Sequence, residues 1–194
     1  MEILNKMIER NISGKKVFGL FILTNLVYAF MLMVTIPNTM AFSNGMKLLD
    51  MMPTGYDFNY VNKLFSSLGD IGRETYLTSQ IPIDMLYLFL IGISYCFFII
   101  YFLKKINKLN TPFKYLCILP IIAAIADYLE NIGIISMLNS YPNFTETTVN
   151  TTSVFSVIKS VSTSVYFIAL VVILILVLIK FFKKSINTHL SRAL

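Results

Sequence analysis

Charge is scarce in this chain: only 13% of its 194 residues are Asp, Glu, Lys or Arg, where about a quarter is usual in a soluble domain. Together with 56% hydrophobic residues and a mean hydropathy of +0.72, that excludes an ordinary soluble fold. Histidine is nearly absent, and its single copy, His189, falls in the C-terminal tail. Histidine-rich metal sites and Ser/His catalysis are therefore excluded. The two cysteines, Cys96 and Cys117, both lie in apolar segments. They form no extracellular disulfide framework and no CxxC redox pair, and they read as small buried packing residues. Internal repeats are also missing.

What is present is apolar sequence in four runs, at about 17–36, 81–103, 113–138 and 154–182. Each reaches the roughly 20 residues that a helix needs to cross a bilayer. The fold class predicted is all-α: residues 1–194 form one integral membrane domain, a membrane-spanning four-helix bundle with a large helical outside loop over 38–80. The first run is longer than the ~7–15 residues of a signal-peptide core, so it reads as an uncleaved anchor that Pro37 ends. Residues 1–16 alternate apolar and charged positions and predict a short amphipathic helix on the inner membrane surface.

The net charge of +6 could suggest nucleic acid, but its distribution points elsewhere. Twelve of the sixteen basic residues are Lys6, Arg10, Lys15, Lys16, Lys104, Lys105, Lys108, Lys114, Lys180, Lys183, Lys184 and Arg192. All flank the same side of a four-crossing chain, which is the positive-inside pattern and places both termini in the cytoplasm of a multi-pass cell-membrane protein. No basic patch is interleaved with exposed aromatics, and no nucleic-acid partner is expected.

Within the 38–80 loop, Phe58, Val61, Leu64, Phe65 and Leu68 follow helical spacing, with Asp57 as N-cap and Gly69 as stop. Asp70 can cap a second helix that continues through Arg73 and Tyr76 into the second span, bent at Pro82. The loop either caps the bundle or governs ligand access.

Polar side chains interrupt every span. Asn25 and Tyr28 mark one face of the first, and Asp84 and Tyr87 mark the second near its outer end. In the third, Asp127, Glu130 and Asn131 stand at i, i+3 and i+4 and share a face. A charge near the membrane centre costs roughly 2.5–3.5 kcal/mol on insertion scales, so these residues predict a buried polar site. Pro120, Ala123 and Ala124 continue the same stripe, and small residues let helices approach closely in lipid. The outer half of the fourth span carries Ser156, Lys159, Thr163 and Tyr166 on one face. Lys159 either pairs with Glu130 or Asp127, or snorkels to the interface.

Thr54-Gly55-Tyr56, Leu68-Gly69, Gly72-Arg73, Tyr76, Asp84, Tyr87, Asp127, Glu130 and Asn131 together form a pattern that resembles a family of bacterial four-helix integral membrane proteins of uncharacterised activity. The resemblance covers the chain from the first outside loop through the third span. It implies a bacterial inner-membrane protein in which these positions, Arg73 included, act together, and it supplies no reaction.

Three functions suit such a site. The first is binding or transport of a small amphiphile, lipid or cation in a polar cavity, open toward the outside, formed by Asn25, Tyr28, Asp84, Tyr87, Asp127, Glu130, Asn131, Lys159 and Tyr166. Four short spans without repeats make a minimal transporter, so a homodimer or larger complex is expected alongside membrane lipid. The second is an intramembrane lipid-modifying enzyme, with Asp127 and Glu130 as the candidate acid and base. The third is a structural or accessory subunit whose polar network fixes helix register. No paired acidic motif marks a magnesium or manganese site, and neither metal nor cofactor is expected.

Overall fold

A computed structural model describes the backbone of residues 12–193 and the side chains of residues 12–183. The inner-surface helix expected over 1–16 falls mainly outside these residues, as do the side chains of Lys184, His189 and Arg192. The described chain is all-helical. Among the described residues, four helices are long and apolar enough to cross a membrane, which points to a multi-pass membrane protein.

The first span begins at Ser13, whose hydroxyl caps α1 (Gly14–Phe30) by accepting from the Lys16 N–H. Pro37 does not end it. The helix widens into a π-turn at Met31–Thr35, where the Ile36 N–H reaches back to the Met31 carbonyl, and then continues as α2 (Ile36–Met40). The wider turn shifts the register just ahead of a residue that has no N–H to donate, so the proline is absorbed.

The second span has the same device. After the loop, α3 (Phe58–Thr75) is capped by Asp57, which accepts from the Tyr60 N–H at 2.7 Å. Its buried stripe is Val61, Leu64, Phe65 and Leu68, with Phe58 half-buried at the edge. Gly69 breaks the helix with φ 60° and ψ −173°, a conformation open essentially to glycine alone. The chain resumes helix at once, passes a second π-turn at Tyr76–Gln80 and runs on as α4 (Ile81–Lys105), with Pro82 at its start. The two π-turns lie side by side, joined by a hydrogen bond from the Thr35 hydroxyl to Gln80 Oε1 at 2.5 Å.

A 3₁₀ turn at Pro112–Ile118 leads into α5 (Leu119–Ser140). The last helix, α6 (Glu146–Ala193), has 48 residues. At ~1.5 Å per residue it is far longer than a bilayer core and extends past the Lys104–Lys105 end of α4. There the Lys180 ammonium donates to the Lys105 carbonyl at 2.8 Å.

Glycine sets the helix spacing at two contacts. A Cβ placed on Gly92 of α4 would lie 3.2 Å from the Ala124 Cβ on α5, and one on Gly133 of α5 would overlap the Thr152 side chain on α6. Thus α4, α5 and α6 form a close-packed trio, while α1 packs extensively on α4 alone. Two apolar cores result. One, at the loop end, gathers Leu49, Val61, Phe65, Tyr76, Ile134 and Met137. The other, toward the lysine-rich end, gathers Val17, Phe98, Ile99, Leu103 and Ile173.

Candidate functional site

The centre of the site is Lys159. Its stem starts on α6 and its ammonium turns into the bundle, 3.0 Å from Asp127 Oδ1 and 2.5 Å from Glu130 Oε2 on α5. Pairing with both carboxylates replaces the snorkelling alternative, because a lysine directed inward here finds two anions one helical turn apart. The third ligand of the ammonium is the backbone carbonyl of Asp50, at 3.0 Å.

Asp50 was not expected here. It sits on the 3₁₀ turn Leu49–Met51, in the segment read from the sequence as outside loop, and that turn folds down into the bundle. Its carboxylate accepts from the Tyr76 hydroxyl at 2.6 Å and from Gln80 Nε2 at 3.0 Å, which ties it to the π-turn of the second span. The same segment is fastened along one face of α6. The Tyr56 N–H donates to Ser153 Oγ at 2.8 Å, and Ser156 Oγ donates to the Met52 carbonyl at 2.8 Å. Ser153, Ser156 and Lys159 are spaced by three residues, so a single helical stripe holds the whole turn. The signal for this in the sequence is the density of apolar residues around Asp50: Leu48 and Leu49 before it, Met51 and Met52 after it, a composition poorly suited to a solvated loop.

Tyr56 closes the site from the loop side. Its hydroxyl lies 3.5 Å from Glu130 Oε1. Burial pushes its phenol well above the ordinary tyrosine value, and the nearby Glu130 charge pushes it further the same way, so it stays protonated and can only donate to that carboxylate. Glu130 is fully buried.

On the other side of Asp127 the helices enclose a cavity of about 610 Å³. Seven of the ten site residues expected from the sequence line it: Asn25, Tyr28, Asp84, Tyr87, Asp127, Lys159 and Tyr166. Asp50 and Met51 lie at its loop end, and Leu32, Leu88, Ile91, Ala123, Ala124 and Phe167 supply apolar wall. Glu130 and Asn131 stand behind this wall. Asn131 donates to Asp84 Oδ2 at 2.6 Å and so bridges α5 to α4. Tyr87 stacks on Tyr28 with ring centroids 5.2 Å apart. The Asn25 amide donates back to the Phe21 carbonyl of its own helix at 2.7 Å.

Arg73 lies apart from this group. Its guanidinium bonds the Phe65 carbonyl at 2.7 Å, pairs with Asp70, and covers the Tyr141 ring at 4.2 Å. It satisfies a carbonyl just before the Gly69 break, a position that orients the second span. Asp70 correspondingly takes the guanidinium of Arg73.

The cavity also has a side. Tyr28 and Leu32 on the first span and Thr163 and Phe167 on α6 border it, yet α1 and α6 do not pack face to face. Tyr28, Leu32 and Phe167 are each exposed by two-fifths or more. Among the described residues, no three of His, Cys, Asp and Glu converge in a way that could hold a metal ion. No protein-family profile, curated protein or solved structure matches the chain.

Proposed function

We propose that this is a cell-membrane protein with both termini in the cytoplasm that binds or transports a small amphiphile or membrane lipid in the cavity between its first and fourth spans. The observation that carries the reading is the cavity's two-part lining. A charged cluster of Lys159, Asp127 and Asp84 holds one part, apolar side chains hold the rest, and the opening between α1 and α6 meets hydrocarbon in a bilayer. An amphiphile matches all three features. The clustered lysines at one end support the orientation through the positive-inside rule. On this orientation the Asp50 turn and α3 lie outside, over the site. Lipid-facing apolar surface on α1 and α6 is also where a second copy or a larger complex would sit.

Binding is favoured over acid–base catalysis by the position of Glu130. Buried behind the wall and held by Lys159 and Tyr56, it does not line the cavity, so Asp127 and Glu130 do not face a substrate together as the enzymatic reading requires. Photolabelling tests the proposal. A diazirine-bearing alkyl lipid in reconstituted membranes should label Leu32, Thr163 or Phe167, and Thr163→Phe, which fills the cavity mouth, should remove that labelling. Labelling spread evenly over lipid-facing residues of all four spans, unaffected by Thr163→Phe, would refute it.

A further inference from the structure

Among the described residues, four carboxylates surround the cavity and its rear, those of Asp50, Asp84, Asp127 and Glu130, and a single ammonium, that of Lys159, faces them. The Lys159 ammonium donates to Asp127 and to the Asp50 carbonyl and is ion-paired with Glu130. The Asp50 carboxylate is occupied by Tyr76 and Gln80. Asp84 is different: it lines the cavity, one of its oxygens accepts from Asn131, and among the described residues no lysine or arginine forms an ion pair with it. A buried carboxylate in that position lacks a cation. Tyr166, fully buried on the same cavity wall, ends in a hydroxyl that has no hydrogen-bond partner. Beside them the Tyr87 and Tyr28 rings stack, and aromatic faces attract cations.

We infer that the cavity recognises the primary ammonium group of a long-chain amine, which donates to the Asp84 carboxylate and the Tyr166 hydroxyl while its alkyl chain lies along the apolar wall toward the gap between α1 and α6. The inference rests on the reading of the cavity as an amphiphile site and names the headgroup. An ammonium carries three donors, enough to serve Asp84 and the orphaned hydroxyl, where a quaternary amine offers none. An anionic headgroup would need a free cation, and Lys159 is already paired with two carboxylates. A metal ion would need a ligand set that the described residues do not assemble.

The test uses the full-length protein in a maltoside detergent, titrated with decylammonium, decanol and decyl sulfonate, with bound copies counted by native mass spectrometry after correction for partition into the micelle. Decylammonium should bind about tenfold tighter than decanol, the ratio that one charge-assisted hydrogen bond supplies. Asp84→Asn should abolish that preference and leave decanol binding intact, and Asp84→Glu should retain it. Because Asp84→Asn also disturbs Asn131, Tyr166→Phe serves as a second variant and should weaken decylammonium selectively. Equal binding of all three probes, or a preference for the sulfonate, would overturn the ammonium assignment while leaving the amphiphile site standing. Failure of every probe to bind the unmodified protein would remove both.

Discussion

The Lys159 ammonium lies 2.5 Å from Glu130 Oε2, and Glu130 is fully buried. Removing one member of such a pair strands the other's charge, which costs about 3–5 kcal/mol. Lys159→Met is therefore expected to lower stability by that order in a denaturing-detergent titration. Adding Asp127→Asn and Glu130→Gln to the same chain should recover much of the loss, since the stranded anions are then gone. A stable single variant would mean that the ion pairs carry no weight in the fold.

The close approach of α5 and α6 depends on Gly133, where a Cβ would overlap Thr152. Gly133→Leu should destabilise by about 1–3 kcal/mol, the usual range for overpacking, and shift the melting temperature down. Gly133→Ala should do so less. Thr152→Ala placed behind Gly133→Ala is expected to restore part of the loss by making room.

Asp50→Ala removes the acceptor of both the Tyr76 hydroxyl and Gln80 Nε2. Each buried donor left without a partner costs about 1–3 kcal/mol. Hydrogen exchange over residues 48–57 should accelerate, because the turn that lies over the cavity loses its hold on the second span. Asp50→Asn, which keeps one acceptor, should show a smaller change. Unaltered exchange in Asp50→Ala would place the anchoring of this turn elsewhere.

Orientation can be read with topology reporters. Alkaline phosphatase fused after Lys63 should be active, as expected of an external segment, and fused after Lys108 it should be silent. The reverse pattern would invert the proposed topology and put the Asp50 turn in the cytoplasm.

Much of the spans was legible because hydrophobic runs and charge asymmetry are local properties. The helical stripe of Val61, Leu64, Phe65 and Leu68 was legible for the same reason, as were the Asp57 cap and the Gly69 break. Pro37 misled, since the helix continues through it. A π-turn leaves no composition signature, and it is stabilised by a neighbour, Gln80, that lies 45 residues further along the chain. Arg73 stood close to the site residues in sequence order but serves the Gly69 corner. A kink there directs its side chain to Phe65 and Tyr141 instead of the cavity.

By itself, the sequence determined that polar groups must meet inside an apolar bundle, because carboxylates, an amide and a lysine at helical spacing cannot each face lipid. It also determined which face of each span carries them. Only the tertiary structure decided how they divide: Glu130 and Asn131 behind the wall, Asp84 and Asp127 on the cavity, and Lys159 reaching the Asp50 carbonyl 109 residues away. That division depends on how closely helices approach at Gly92 and Gly133, and on a loop turn folding inward. Both are sums of contacts between distant segments, which no local pattern of residues records.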